Sequence, residues 1–245
     1  MTDPTGATRT VAVVVPVYRN AATLPELVAR LAAALAERSW TLRLVVDASP
    51  DASAEVAAAL AAVDPRVVPQ VLPHNVGQHR ALAAGLAAAD GAEAWVCLDA
   101  DLQDPPEAVP LLLDRLAAGD VAAVFAGRRG SYESRLRLMT GRAHRAVMSR
   151  LTGLPPDAGA FLALDARARR SVLALQAPSL VAAIGAARLP TASVPVARDV
   201  RSSGTSAWTT RARLRQSART LAWTLARTLA RTLAWTLRQR RRQSG

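Results

Sequence analysis

The sequence predicts an α/β fold with a mostly parallel sheet that helices cover on both faces. Continuous apolar runs alternate with stretches of ten to fifteen residues whose apolar side chains recur at helical spacing, and this alternation repeats about four times. Apolar runs without polar alternation are typical of strands that are buried on both faces, as in parallel sheets. With 245 residues and 51% hydrophobic content, the chain suffices for one sizeable α/β domain and an appendage.

The predicted elements follow one another regularly in the first half of the chain. The runs predicted as strands are Val11–Pro16, Leu42–Asp47, Val67–Leu72, Ala94–Leu98 and Val121–Ala126. The stretches predicted as helices are Leu24–Ala36, Ser53–Val63, Gln78–Ala89 and Pro106–Ala118. After residue 128 the alternation gives way to a helical region over 134–151, a turn at Pro155 and Pro156, and short mixed elements as far as residue 200.

Polar residues gather where the predicted strands end. These positions are 18–20, 47–51, 74–78 and 99–104. Ligands of open α/β sheets bind beyond the carboxyl ends of the parallel strands. We therefore expect the functional site at this edge of the sheet.

The distribution of charge and the content of cysteine and histidine limit the disulfides, metal sites and location that the sequence predicts. Eleven of the 31 basic residues lie in 201–245, which has no acidic residue, so the first 200 residues carry 20 basic against 19 acidic side chains. The single cysteine, Cys97, excludes an intrachain disulfide, and its apolar run predicts a core residue. His74, His79 and His144 lack the partners of a structural zinc site. Residues 1–10 lack the pattern of a secretory signal, and we expect a cytoplasmic protein.

The strongest single feature is the segment from Asp99 to Pro106, DADLQDPP, directly after a predicted buried strand. Two carboxylates two residues apart at a strand end can face one divalent ion, which then bridges to the diphosphate of a nucleotide donor. A bare Asp-x-Asp is common, and the alternative is a solvated turn in which Asp104 caps a helix. Position and neighbouring segments favour the metal-binding interpretation.

Five segments carry a family resemblance in their order and spacing. They are 13–18 (VVVPVY), 45–53 (VVDASPDAS), 75–86 (NVGQHRALAAGL), 98–107 (LDADLQDPPE) and 127–129 (GRR). Together they resemble family 2 glycosyltransferases, most of all the group of dolichyl-phosphate mannose synthases and undecaprenyl-phosphate sugar transferases. The resemblance covers about residues 10–210. It implies a Rossmann-like GT-A fold and inverting transfer of a sugar from a UDP- or GDP-sugar to an acceptor, expected to be a polyprenyl phosphate.

The resemblance also implies roles for individual residues. Asp99, Asp101 and Gln103 match positions that bind Mg²⁺ or Mn²⁺. The positions that match donor-binding residues are Pro16, Tyr18, Asn20, Asp47, Gly77, Gln78, Asp99, Ala100, Asp101, Arg128 and Arg201. Arg128 is further expected to contact the diphosphate and to stabilise the leaving group, because a guanidinium offers a forked donor to phosphate oxygens.

Ordinary structural roles remain open for several of these residues. For Asp47 the alternative is an Asx-turn within residues 47–51, and for Arg128 it is a solvated loop charge. Gly77 and Gln78 open a predicted helix, so a turn and a cap fit them as well as a ligand contact does.

The chain departs from the family pattern around the predicted nucleoside pocket. Val46 stands where the family usually has the first Asp of a pair, and Asn20 stands where it usually has Glu. Ala48 and Ala52 replace the usual glycines of the same loop. The segment 201–208 (RSSGTSAW) resembles a lid, but Ala207 replaces its lysine, which weakens donor phosphate binding or lid closure.

A further departure concerns the catalytic base. Residues 157–162 (DAGAFL) resemble an Asp-Ala-Gly-Asp-Phe-Arg motif in which Ala160 replaces the second acid and Leu162 the arginine. That second acid is a candidate for activating the acceptor in relatives, so Asp157 is the remaining candidate if its loop turns it inward. A turn or capping role is the alternative for Asp157. A catalytically impaired relative, which binds nucleotide sugar or scaffolds a membrane complex, is the alternative function.

The last residues form a basic repeat of Thr, Leu, Ala and then Trp or Arg. We divide the chain into a catalytic domain over 1–205 and a tail over 206–245, expected to be one long helix from about Thr209 to Arg242. Arg227 and Arg231 at its centre cost about +2.5 to +3.5 kcal/mol each on insertion, more than the leucines contribute, so the tail is not expected to span a membrane.

Its tryptophans and arginines suit an anionic membrane surface instead, which predicts a peripheral protein at the inner face of the cell membrane. The alternatives are a partner helix, in an oligomer or on a membrane protein, a nucleic-acid contact, or no role. The near-neutral body disfavours nucleic acid as the main partner.

Overall fold

The structure is a computed structural model that describes residues 10–129, 149–197, 218–227 and 229–230, with the backbone alone for Arg128 and Arg129. Its strands are β1 (Val11–Val17), β2 (Trp40–Val46), β3 (Val67–Val71), β4 (Ala94–Cys97), β5 (Ala123–Arg129), β6 (Leu162–Leu164) and β7 (Thr191–Ala197). Its α-helices in 10–197 are α1 (Leu24–Ala34), α2 (Ser53–Val63), α3 (Gln78–Ala88), α4 (Val109–Ala117), α5 (Ala166–Leu175) and α6 (Leu180–Ala187). A 3₁₀ helix, Pro106–Ala108, precedes α4.

One mixed sheet organises the domain. Its strand order is β3-β2-β1-β4-β6-β5-β7. Neighbouring strands pair in parallel except at β6, which runs antiparallel to both β4 and β5. This confirms the predicted mostly parallel α/β fold.

Helices pack on both faces of the sheet. The side chains of α1, α2 and α4 pack with one face, and those of α3, α5 and α6 pack with the other. In the central strand β1, Val13 and Val15 contribute to the first layer while Ala12 and Val14 contribute to the second. Because both faces are covered, every residue of β1 is buried, which explains its continuous apolar sequence.

Helix α3 is held closely against the sheet and clamped at its carboxyl end. A Cβ atom on Gly85 would lie 2.4 Å from a methyl group of Val14, so only glycine permits this approach. At the far end, the Arg169 guanidinium donates hydrogen bonds to the carbonyls of Leu86 (2.8 Å) and Ala87 (3.2 Å). Cations are favourable at a helix carboxyl terminus, where backbone carbonyls lack partners. The clamp fixes the axis of α3 and therefore the place of its amino terminus.

The predicted elements of the first half of the chain are confirmed, with small shifts at their ends. The last predicted strand, Val121–Ala126, is observed as Ala123–Arg129, because its ladder with β7 continues to the pair Arg129 and Ala197. Residues 149–152 are helical and a turn lies at 156–157, as predicted. The rest of the helical region over 134–151 and the lid segment 201–208 lie outside the described residues.

The tail is described in part. Residues 218–227 and 229–230 are helical, whereas the remainder of the predicted helix over 209–242 lies outside the described residues. The division at residue 205 stays a prediction. Among the described helices, no single one has the length and apolar composition of a membrane span; α5 and α6 have them only as a pair, bent by 109° at their junction.

Candidate functional site at the carboxyl edge of the sheet

The sheet register brings the residues singled out in the sequence to one edge. Asp99 lies two residues beyond Cys97, and Gly127 lies two residues beyond Phe125. Cys97 and Phe125 both pair with Leu162, the first residue of the antiparallel strand β6. The segment before β6 therefore meets the carboxyl ends of β4 and β5 at the same edge. This is the edge at which the sequence predicts the site.

Asp47 anchors the loop that leads into α3. Its carboxylate is 2% exposed, and it accepts hydrogen bonds from the backbone amides of Val76 to Oδ1 (2.7 Å) and Gly77 to Oδ2 (2.8 Å). The Asn75 side chain also donates to the Asp47 carbonyl at 3.1 Å. The carboxylate thus bonds the loop before α3 and does not form an Asx-turn within 47–51. Its predicted contact with the nucleoside stays a prediction.

Gly77 and Gln78 have separate roles at the start of α3. Gly77 has φ +85° and ψ 151°, a backbone region that is essentially restricted to glycine, so the turn requires this residue. Gln78 does not cap the helix. Its side-chain amide donates to Oδ1 of Asp99 instead, which connects the α3 loop to the acidic segment.

Three contacts fix the shape of the acidic segment. The side-chain amide of Gln78 donates to Asp99, and the hydroxyl of buried Thr23 donates to the Ala100 carbonyl at 2.6 Å. The backbone amide of Gln103 donates to Oδ1 of Asp101 at 3.2 Å. Between them Leu102 adopts a left-handed conformation, φ +59°. The N-cap residues of the 3₁₀ helix and of α4 make no side-chain cap hydrogen bond, so the alternative in which Asp104 caps a helix is not supported. Thr23 is a site residue that the sequence analysis missed.

The donor set suits a divalent ion that arrives with a diphosphate. Asp99 and Asp101 are half-buried and supply carboxylate oxygens, the ligands that hard cations prefer. In the part of the chain that the structure describes, no three His, Cys, Asp or Glu side chains are grouped to hold an ion. Mg²⁺ is usually bound by one or two carboxylates together with substrate phosphates. The acidic segment fits that pattern and not a closed protein cage.

The loops after β1 and β2 are tied together by Ser49, Asp51 and Ser53. The Ser49 hydroxyl accepts from the Arg19 amide (2.7 Å) and donates to the Asp51 carboxylate (2.6 Å), and the Ser53 hydroxyl accepts from the Asn20 amide (3.2 Å). Burial raises the pKa of Asp51, but hydrogen bonds from the hydroxyls of Ser49 and Ser53 and from backbone amides outweigh it, so the pKa lies below its ordinary value. Asp51 is therefore ionised and keeps these two loops in register.

Ala48, which stands where the family usually has glycine, adopts a backbone conformation that favours glycine. Its φ is +46°, in the left-handed region that costs a non-glycine residue roughly 1–2 kcal/mol. Ala52, the other replaced glycine, has φ −71°, which any residue adopts. Only one of the two replacements therefore introduces backbone strain.

Asp157 points inward, toward β5 and β7. Its Oδ2 accepts a hydrogen bond from the Ser193 hydroxyl at 2.9 Å. Its Oδ1 is buried and has no hydrogen-bond partner among the residues that the structure describes. Asp157 can serve as the predicted base only in this inward orientation. Leu162, at the position of the family's arginine, is fully buried in the core, so the fold has no place for a cation there.

The remaining predicted residues are placed as follows. Pro16 is buried in β1 and pairs with Val45. The ring of half-buried Tyr18 has the Arg19 guanidinium 5.5 Å from its centroid. Arg128 lies in β5 opposite Val196, with its side chain outside the description, and Arg201 lies outside the described residues.

Burial keeps the side chains of Cys97 and His79 uncharged. Burial, together with the charge of Asp99, raises the pKa of the Cys97 thiol. Its predicted role as a core residue is confirmed, because the side chain is fully buried. Burial lowers the pKa of His79 to about 4, so its imidazole is neutral at pH 7. His79 lines a cavity of about 80 Å³ between α3, α5 and α6.

Comparison with known proteins gives a family and a set of relatives. The family model described as "Glycosyl transferase family 2" matches residues 12–170. An undecaprenyl-phosphate 4-deoxy-4-formamido-L-arabinose transferase of Pseudomonas aeruginosa (strain LESB58) is 38% identical over 148 residues, which are 59% of this chain and 43% of the relative. The protein of that name from Sodalis glossinidius is 38% identical over 146 residues, 58% of this chain and 44% of the relative. The chain spans less than half the length of these relatives.

Solved structures with a similar fold include two sugar-phosphoglycerate synthases. Glucosyl-3-phosphoglycerate synthase from Mycobacterium tuberculosis, in complex with Mn²⁺, UDP and glucosyl-3-phosphoglycerate, has a TM-score of 0.67 and 21% identity, covering 90% of this chain and 80% of that one. Mannosyl-3-phosphoglycerate synthase from Rubrobacter xylanophilus has a TM-score of 0.60 and 17% identity, covering 94% and 75%. These similarities confirm the predicted Rossmann-like GT-A fold.

The strained backbone at Ala48 gives a stability prediction. We expect Ala48→Gly to raise the free energy of unfolding by up to about 1 kcal/mol, because glycine adopts a positive φ without steric cost. The matched control is Ala58→Gly on the exposed side of α2, where glycine should lower stability by about 1 kcal/mol. Urea unfolding of the three proteins measures both changes. Equal destabilisation by the two variants would contradict the strain at Ala48.

Proposed function

The chain belongs to glycosyl transferase family 2, and from that premise we propose that it transfers a sugar from a UDP- or GDP-sugar to a polyprenyl phosphate, with inversion. The observation that carries the proposal is the acidic segment, with Asp99 and Asp101 held at the carboxyl edge by Gln78 and Thr23. The undecaprenyl-phosphate transferases named above support the choice of acceptor. They share 38% identity with this chain over 148 and 146 residues.

Asp99 and Asp101 would hold Mg²⁺ or Mn²⁺, with the Gln103 side chain as a further candidate ligand. The ion would neutralise the charge that develops on the departing nucleoside diphosphate. Gln78 and Thr23 keep the acidic segment in one shape before the donor arrives, so less reorganisation is needed on binding. The M. tuberculosis structure of similar fold contains Mn²⁺ and UDP, which supports testing this metal and this nucleotide first.

The donor nucleotide would lie along the strand ends, over Tyr18 and the loops tied by Asp51. Asn20 contributes its backbone to this arrangement through the Ser53 hydroxyl. Arg128, next to Gly127 in β5, and Arg201 would donate to the phosphates, as forked guanidinium donors do. These contacts hold the diphosphate so that the anomeric carbon faces the acceptor.

The reaction is a single displacement. An oxygen of the acceptor phosphate bonds to the anomeric carbon while the bond from that carbon to the diphosphate breaks, and the nucleoside diphosphate leaves with the electron pair. A phosphate monoester has its second pKa near about 6, so most of the acceptor is already dianionic at pH 7 and needs only a weak base. Asp157 would serve the fraction that still carries a proton.

The metal-binding pair is tested by calorimetry. We expect UDP or GDP to bind the full-length protein only with MnCl₂ or MgCl₂ present, and Asp99→Asn or Asp101→Asn to weaken binding at least tenfold, because each removes a charged ligand. Asp114→Asn, which changes an exposed carboxylate on α4, is the matched control and should bind normally.

Absence of nucleotide binding with metal present would contradict the proposed function. Binding of nucleotide sugars without transfer to undecaprenyl phosphate, across a donor panel, would identify the impaired relative instead.

We also propose that the tail binds the anionic surface of the cell membrane at its cytoplasmic side. In the described part of the tail Leu225 and Leu229 are 39% and 68% exposed, and Arg219 and Arg227 are exposed as well. Exposed leucines together with arginines suit the interface of an anionic bilayer, where each cation contributes about 1 kcal/mol. This location would bring the domain to a lipid acceptor. A partner protein or a second copy remains the alternative occupant.

Vesicle binding tests this proposal. We expect the full-length protein to cosediment with phosphatidylcholine vesicles that contain phosphatidylglycerol, and to bind purely phosphatidylcholine vesicles more weakly. The double variant Leu225→Ser, Leu229→Ser should reduce binding about tenfold or more, since each exposed leucine loses its burial in the interface. Val63→Ser, which changes a valine that is 86% exposed on α2, is the control. Unchanged binding by the double variant would contradict the role of the tail.

A further inference from the structure

Three distant parts of the chain meet over the carboxyl end of β5. Asp157 comes from the turn before β6, Ser193 from β7, and Gly127 from β5 itself. The Ser193 hydroxyl donates to Oδ2 of Asp157 at 2.9 Å, across 36 residues of sequence. In the ladder between β5 and β7, Ser193 pairs with Phe125 and Pro195 pairs with Gly127. Ser193 therefore lies beside β5, where its hydroxyl reaches the Asp157 carboxylate.

Gly127 provides the space in which this pair fits. A Cβ atom at this position would lie 2.2 Å from Oδ2 of Asp157 and 2.4 Å from the Ser193 hydroxyl oxygen. Gly127 is not among the glycines with positive φ, so the backbone conformation does not require glycine here. Glycine inside a strand lowers its stability. The missing side chain therefore serves the carboxylate and not the strand.

The hydrogen bond distinguishes the two oxygens of Asp157. Oδ2 is held by Ser193, whereas Oδ1 is buried and has no hydrogen-bond partner within the described ranges. A buried carboxylate oxygen without a partner is destabilising. Both oxygens belong to the segment that meets the end of β4, where Asp99 follows. A buried oxygen without a partner at this edge is suited to a group that arrives with the substrate.

We propose that Ser193 is a positioning residue for the transfer reaction, holding Asp157 so that Oδ1 meets the attacking group of the acceptor. The inference rests on the proposed function. In the fraction of acceptor that still carries a proton, that proton passes to Oδ1 of Asp157 and then to solvent as the acceptor oxygen bonds to the anomeric carbon and the nucleoside diphosphate leaves with the electron pair. Ser193 itself touches neither substrate. Its role is to keep the carboxylate from turning away.

A structural role alone predicts a different set of outcomes. If Ser193 only attached the segment before β6 to β7, its loss would lower stability and disturb donor binding along with turnover. A positioning role affects kcat and leaves the affinity for the donor nucleotide unchanged. A double variant of Ser193 and Asp157 distinguishes the positioning role from the structural role further. If Ser193 affects kcat only through Asp157, its loss has no effect once Asp157 is replaced.

The experiment uses the full-length protein, its preferred UDP- or GDP-sugar and undecaprenyl phosphate in detergent. At pH 5, where about nine-tenths of the acceptor phosphate still carries its second proton, we expect Ser193→Ala to lower kcat up to about tenfold, with metal-dependent UDP or GDP affinity unchanged within twofold. At pH 7, where most of the acceptor is already dianionic, the loss should be less than about twofold. Ser193→Thr, which keeps the hydroxyl, should recover most of the activity. Asp157→Asn should lower kcat at least as far, and adding Ser193→Ala to it should cause no further loss. Ser171→Ala in α5 is the matched control and should behave as the wild type.

Each result decides the question. Wild-type kcat in Ser193→Ala at pH 5, failure of Ser193→Thr to recover activity there, or multiplying losses in the double variant would overturn the positioning role, as would loss of donor affinity together with kcat. Absence of transfer by the wild type would overturn the proposed function and this role with it. Wild-type transfer with an unaffected Ser193→Ala at pH 5 would overturn this role alone.

Discussion

The site depends on two hydrogen bonds that the buried Asp47 carboxylate accepts from the amides of Val76 and Gly77. A buried carboxylate is costly unless it is hydrogen-bonded, and these charge-assisted bonds stabilise a turn that only glycine can make. The turn fixes the first residue of α3, and that residue, Gln78, reaches Asp99. A charge at the end of one strand therefore determines where the acidic segment after another strand can lie. The tight packing of α3 at Gly85 makes this connection rigid.

Much of the fold follows from the sequence because its signals are local. The strands from β1 to β5 are apolar runs of the right length, the helices between them have helical spacing, and parallel strands must end at one edge. β6 has three residues, Leu162–Leu164, too few for a pattern to identify, yet it introduces the antiparallel step that brings Asp157 to the site. No local signal could have given its register.

Side-chain partners were harder to predict, because they join residues far apart in sequence. Thr23 bonds Ala100 across 77 residues, Gln78 bonds Asp99 across 21, and Ser193 bonds Asp157 across 36. Thr and Ser are common at helix starts and in strands, so neither would be selected from sequence alone. Gly127 belongs to the GRR segment, but the predicted strand Val121–Ala126 ended one residue before it, so its role as a strand glycine close to another group was not predicted.

The departures from the family pattern change individual residues of the site but leave its candidate metal ligands and Asp157 in place. Ala48 has a positive φ, which suits the glycine that the family usually has there, and Leu162 is part of the core. Asp157, left as the acid of its motif, is turned inward and held by Ser193. The proposed sugar transfer thus has two candidate metal ligands and a positioned carboxylate on the same edge of the sheet.

In the proposed function Asp99 and Asp101 jointly hold a cation against a nucleoside diphosphate. Anomalous diffraction from crystals grown with MnCl₂ and UDP would locate this cation. We expect an anomalous peak at about 2 Å from a carboxylate oxygen of Asp99 or Asp101, with the diphosphate on its other side. Manganese and UDP bound away from this edge, or both carboxylates turned from the ion, would contradict it.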